Sequence, residues 1–312
     1  MTARRGWAAA VFAVVVVLVA AGLVVRRLDR DDPPTAGTSV TASPTPSPST
    51  TPSSSPTPSS SPTPIVQSST RTTTASLAAE NRVVTANALY RAGRLPASRC
   101  KEPSVRPTTV ANVRKYYTEF VPCLDRAWAP LIRKAGFTFW APRVEVITGQ
   151  TRTMCSVSDS AAYCDGVISM DANYDLANYR NDNQLWARTT MAHLVAHEYG
   201  HHIQRLTGIA AASYARSTAM SSANARLVES RRLELQASCL SGSYLGADRR
   251  YFPATGGWLQ RWLWTVQHRG DEWNPTRSHG NSTSHSRWTR RGFNAASASV
   301  CNTFTASAAS IA

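Results

Sequence analysis

The stretch AHLVAHEYGHHIQRL, residues 192–206, decides how the rest of the chain is read. It contains His197-Glu198-Tyr199-Gly200-His201, an HExxH pattern. Two histidines at i and i+4 project from one face of a helix, so two imidazoles can reach one zinc ion at about 2.0–2.1 Å. The glutamate next to the first histidine lies to one side, where it can take a proton from a water activated by the metal. Apolar residues at Leu185, Met191, Leu194, Val195, Ile203 and Leu206 support a helix over about 185–206. With only seven histidines in the chain, a chance occurrence of the pattern is rare. The expected cofactor is therefore Zn²⁺, with His197 and His201 as ligands and Glu198 as catalytic base.

The other two histidines of the stretch are not read as ligands. His193 shares the stripe but lies about 12 Å along a straight helix from His201, too far for one ion. It is expected to pack or to act behind the ligands, and His202 is rotated off the stripe. A catalytic zinc usually takes a third protein ligand and keeps a position open for water. The pattern HExxHxxGxxH would need Gly at 204 and His at 207, where this chain has Gln204 and Thr207. The third ligand must come from farther on, and Glu229, Glu234, His268, His279 and His285 are the downstream candidates. Glu229 and Glu234 are five residues apart on one predicted helix, so only one can face the metal. Spacing alone does not choose between them.

Upstream, the chain changes character twice. Residues 7–25 form an apolar run without a charge, bracketed by Arg4, Arg5, Arg26 and Arg27. At about 1.5 Å per residue it spans roughly 28 Å, enough to cross a bilayer core. It is longer than a signal-peptide core and lacks an A-x-A site, so residues 1–30 are read as an uncleaved signal anchor, with secretion the outcome if it is cleaved. Residues 31–75 are dominated by Pro, Ser and Thr and are read as a disordered stalk. Residues 76–312 form the remaining domain. These features place it outside the cytoplasm on a single-pass anchor, with the membrane as one partner.

All six cysteines, Cys100, Cys123, Cys155, Cys164, Cys239 and Cys301, come after the stalk. None has a C-x-x-C spacing, and an even count in an exported domain points to disulfides. Cys155 and Cys164 form a local pair, which leaves Cys100 with Cys123 and Cys239 with Cys301 by elimination. The net charge of +15 comes mostly from scattered arginines. It favours anionic cell-envelope polymers as neighbours, whereas no nucleic-acid motif accompanies it, so nucleic acid is not expected as a partner.

Within 76–312 the pattern predicts helices over about 76–93, 109–134 (interrupted by Pro122 and Pro130), 185–206, 211–242 and 257–268, with a last one after Ser286. Two β-rich runs, Arg143–Thr148 and Gly166–Met170, precede most of them. The fold class is α+β, mostly helical with a small β-sheet.

Three segments in order, HEYGHHIQ, RLELQASCLSG (232–242) and SHGNSTSHSRWTRRGF (278–293), resemble the bacterial neutral zinc metallopeptidase family, of gluzincin type. There an AHExGHHxQ helix precedes an ELQADC helix and a THGxS segment leading to RxxWxxRGF. The Cys155–Asp171 region resembles the family's earlier hairpin, and the similarity covers roughly 105–300. The resemblance implies a zincin-like metallopeptidase domain acting on a peptide or protein substrate. It implies Glu234 as the third zinc ligand, Glu229 as a solvated residue, and His279 as a donor to the oxyanion. One departure stands out: Ser238 replaces the family's aspartate, which would anchor a ligand histidine from behind. That loss keeps open the alternative of a zinc-stabilised envelope-binding protein with little or no turnover.

Overall fold

The computed structural model describes residues 66–149, 160–181 and 183–312. The predicted membrane anchor at 7–25, nearly all of the predicted stalk, and Cys155 lie outside these residues. Among the described residues no helix is long and apolar enough to cross a membrane.

Helix α1 spans Val66–Thr85, starting earlier than the predicted 76 and ending well before Gly93. Asn87 ends it. Its Nδ2 donates to Val83 O at 3.1 Å and to Thr207 O at 3.1 Å, while its Oδ1 caps a short 3₁₀ turn at Ala88–Arg91. A side-chain amide that satisfies backbone groups on both sides competes with a continuous helix. Helix α2, Val110–Lys134, runs on through Pro122 and Pro130, contrary to the predicted interruption. Each proline removes one backbone donor, but this helix buries Tyr116, Tyr117, Phe120, Leu124, Trp128 and Ile132, and that burial outweighs the two lost bonds.

The sheet has three strands, β1 (Arg143–Ile147), β2 (Ala161–Cys164) and β3 (Val167–Asp171), in the order β1-β3-β2. β1 and β3 are parallel, with Arg143 opposite Val167 and Ile147 opposite Asp171. β2 and β3 form an antiparallel hairpin. Its turn, Asp165-Gly166, has φ of 44° and 92°, the left-handed pair that tight hairpins require and that Asp-Gly adopts readily. β2 is short and only half-buried, and the sequence pattern does not reveal it. It forms one edge of the described sheet.

The remaining helices are α3 (Ala172–Asn181), α4 (Gln184–Leu206), α5 (Ile209–Ala219), α6 (Ala223–Asp248), α7 (Gly256–Gln267) and α8 (Ser282–Ala295). The predicted helix over 211–242 is two helices: the chain breaks at Met220–Ser222, and Ser222 Oγ caps α6 by accepting from Ala225 N. α8 starts earlier than predicted, capped by Asn281 Oδ1 on Ser284 N at 2.8 Å.

α4 is the central rod, contacting α2, α3, α5, α6, α7 and the hairpin. It is buried over most of its circumference, as a helix inside a core must be. α6 and α8 touch backbone to backbone through glycines. A Cβ on Gly242 would lie 2.1 Å from Thr289 O, and one on Gly292 would lie 1.9 Å from Cys239 O. No other residue fits either position. Two disulfides close the frame, Cys100–Cys123 and Cys239–Cys301, in agreement with the pairing by elimination. The Cys155–Cys164 pairing lies outside the described residues, and Cys164 itself sits on β2.

Candidate metal centre

His197 and His201 project from one face of α4, and Glu234 meets them from α6. His197 Nε2 is 3.2 Å from His201 Nε2 and 3.2 Å from Glu234 Oε2; His201 Nε2 is 3.3 Å from the same oxygen. Ligands at about 2.0–2.1 Å on a tetrahedral ion lie about 3.3–3.4 Å apart. Two imidazoles and one carboxylate at this spacing fit zinc.

Neighbours hold each ligand histidine by its other ring nitrogen. His201 Nδ1 donates to Gln204 Oε1 at 2.8 Å. Gln204 Nε2 in turn donates to Leu233 O at 2.7 Å and to Gln236 Oε1 at 3.1 Å, which ties α4 to the turn of α6 that carries Glu234. His197 Nδ1 lies 3.1 Å from Ser238 Oγ, and Ser238 Oγ lies 3.1 Å from His285 Nδ1. Ser238 thus stands behind a ligand histidine, where the resemblance places a carboxylate. Sequence reasoning missed Gln204 and His285 in these roles. The i,i+3 spacing of His201 and Gln204 is a usable signal for the first; nothing in the pattern points to the second.

Electrostatics follow from burial and proximity. Burial pushes Glu234 up, but the charge on His201 and hydrogen bonds from His197 and His201 outweigh it and hold the carboxyl well below the usual range. Burial depresses His201, yet Glu234 and Glu198 bring it up to about 9. His197 falls to about 4, chiefly through burial. Glu198 rises to about 7, mainly through burial.

Glu198 lines the same cleft as the three ligands, a space of about 630 Å³ that β2 borders with Ala161, Ala162, Tyr163 and Cys164. His279 stands at its mouth with a half-exposed side chain, Nε2 3.7 Å from Glu234 Oε2. Asp271 fixes the loop by accepting from His279 N at 2.7 Å. His193 is buried against Trp262 with an unpartnered Nδ1, and it makes no hydrogen bond to the cluster. It is a packing residue. His202 takes the Tyr163 hydroxyl on Nδ1 at 3.0 Å and donates from Nε2 to Trp140 O at 2.8 Å, bracing the hairpin against α4. His268 lies on the surface, its Nδ1 bonded to Trp264 O.

Glu229 corrects the expectation of a solvated residue. It is 2 % exposed and paired with Arg216, whose Nε is 2.8 Å from Oε1 and whose Nη2 is 3.0 Å from Oε2. The five-residue offset from Glu234 turns it away from the metal and into the interface between α6 and α5, where an arginine is available to neutralise it.

Two curated relatives frame these observations. "Uncharacterized protein YpfJ" of Escherichia coli (strain K12) is 28% identical over 208 residues, covering 61% of this chain and 71% of its own. "Uncharacterized protein Rv2575" of Mycobacterium tuberculosis (strain H37Rv) is 26% identical over 208 residues, covering 59% of this chain and 68% of its own. No solved structure gives a significant match. Residues 95–304 match the family described as "Putative neutral zinc metallopeptidase", a span that holds every residue of the cluster. The chain belongs to this zinc metallopeptidase family, and its metal is Zn²⁺.

Proposed function

We propose that this chain is a peptidase whose reaction is hydrolysis of an amide bond by water. The observation that carries the reading is a buried glutamate, Glu198, opening into the same cleft as a His/His/Glu ligand set. His197, His201 and Glu234 hold the zinc, which supplies Lewis acidity that acidifies water and polarises a carbonyl. Glu198 takes a proton from the attacking water on its carboxylate and delivers it to the nitrogen of the leaving amine. Burial brings its proton affinity to about 7, the range in which a carboxylate can both accept and return a proton. His279, at the mouth of the cleft, donates to the carbonyl oxygen as charge develops there.

A peptide suits the cleft because β2 presents an edge there. An extended substrate adds to that edge through main-chain hydrogen bonds, as peptides add to exposed strand edges elsewhere. The apolar run at 7–25, the Pro/Ser/Thr segment after it and the two disulfides support an anchored domain on the outer, oxidising side of a membrane.

The test compares the full chain, with zinc quantified, against Glu198→Gln on a mixed peptide library. Both should hold one zinc, and the variant should cleave at least about 100-fold more slowly. A wild type that holds zinc but cleaves no better than the variant would leave the domain as a metal-stabilised binding protein.

A further inference from the structure

A second, smaller space of about 130 Å³ opens beside the metal cluster. It shares His197 and His279 with the main cleft, so it lies on the reaction centre's own wall. Arg269, Trp273 and Asn274 also line it.

Arg269 makes no hydrogen bond and no ion pair among the described residues, although it is only partly exposed. A guanidinium carries five donors and a permanent charge, and a half-buried one is normally paired. Asp271 lines the same wall, its Oδ1 buried without a hydrogen-bond partner. That carboxylate is buried, with Oδ2 given to the His279 backbone, and it forms no ion pair with Arg269. Trp273, 79% exposed, offers a bare aromatic face at the rim.

We propose that Arg269 is the specificity residue of a subsite that takes a substrate carboxylate next to the cleaved bond. This assignment rests on the peptidase reading above. A peptide carries carboxylates at its C-terminus and on acidic side chains, and the guanidinium fork matches either bidentately. A space of this size holds about four water molecules' volume, enough for a carboxyl group on a short stem. The wall between the two spaces then lies at the scissile bond. The substrate chain runs along β2 on one side, and its anionic group sits by Arg269 on the other.

Binding and cleavage are read separately. The zinc-loaded full chain carrying Glu198→Gln is titrated calorimetrically with N-acetyl-trialanine as free acid, with its C-terminal amide, and with the amide of N-acetyl-Ala-Glu-Ala. The free acid, the glutamate peptide, or both should bind about tenfold more tightly than trialanine amide. Whichever does so identifies the carboxylate as terminal or side-chain. Adding Arg269→Gln should erase the preference while zinc content and melting temperature hold, because the arginine makes no hydrogen bond or ion pair among the described residues that the change would break. Equal binding of all three peptides, or a preference that survives Arg269→Gln, overturns the assignment. A preference that depends on Arg269 in a chain whose wild type cleaves no peptide keeps the subsite and removes the peptidase reading instead.

Discussion

Ser238 Oγ lies 3.1 Å from Nδ1 of His197, on the side of the ring opposite the atom that meets Glu234 and His201. A histidine that gives Nε2 to a metal keeps its proton on Nδ1, so His197 donates to the serine oxygen. The serine hydroxyl then donates onward to His285 Nδ1. An uncharged relay of serine and histidine orients this ligand where a carboxylate would otherwise stand.

Removing the relay should weaken metal binding. Ser238→Ala leaves the His197 Nδ1 donor buried without an acceptor, and zinc affinity should fall about 10–100-fold. His285→Ala should lower it by a smaller factor, and Ser238→Asp should raise it above wild type. Competition against a chromophoric chelator reads all three. Wild-type affinity in Ser238→Ala would show that the serine does not support the ligand.

The two glutamates of α6 should separate by phenotype. Glu234→Ala should lose stoichiometric zinc. Glu229→Ala should keep it but destabilise the domain by about 3 kcal/mol, because Arg216 is left charged and largely buried. Metal analysis and chemical denaturation tell the two apart, and zinc lost from Glu229→Ala alone would reverse the assignment.

The glycine contact between α6 and α8 should be intolerant of one methyl group. Gly242→Ala forces a Cβ into Thr289 O and should cost about 1–3 kcal/mol. Because Ser238 and His285 face each other across the same pair of helices, spreading them should also lower zinc affinity. Thermal melts and chelator competition on one sample test both effects.

Asp175 should make stability depend on pH. Burial raises its carboxyl to about 8, and Tyr117 donates to it at 2.7 Å. The folded chain therefore keeps this proton over a range in which the unfolded chain, near the ordinary value of 3.8, has lost it. The stabilising contribution is full below about pH 4, declines as pH rises, and is gone above about 8. Asp175→Asn should melt at a temperature that changes less between pH 5 and 8, overtaking the wild type at the upper end. Parallel curves for the two proteins would rule the group out.

Legibility in the sequence depends on where the physics is local. The i,i+4 histidines and the adjacent glutamate report one helix face, so three site residues are legible at once. Helix α7 is legible because tryptophans and leucines recur at helical spacing. The break between α5 and α6 is not, because Met220–Ser222 contains neither glycine nor proline and its one local signal is the Ser222 cap on Ala225 N. Strand β2 is hidden by alanines of weak strand preference. The Ser238–His285 contact joins residues 47 positions apart and depends on two glycines letting α6 and α8 close. No periodicity encodes such an approach. Glu229 is misplaced for a related reason, since its partner Arg216 lies on a helix that the sequence pattern merges with its own.

α6 carries Glu234, Gln236, Ser238 and Cys239 within six residues, and each is committed to a different atom: Nε2 of His197 and His201, the Cys301 carbonyl, Nδ1 of His197 and the Cys301 sulfur. Every residue inserted or deleted in that span turns the downstream part of the helix by about 100° and shifts it by about 1.5 Å. No single rotation could then restore all four attachments. The segment works as a keyed shaft: its length cannot change, and lineages that keep the metal are expected to keep Glu234 and the number of residues between 234 and 239.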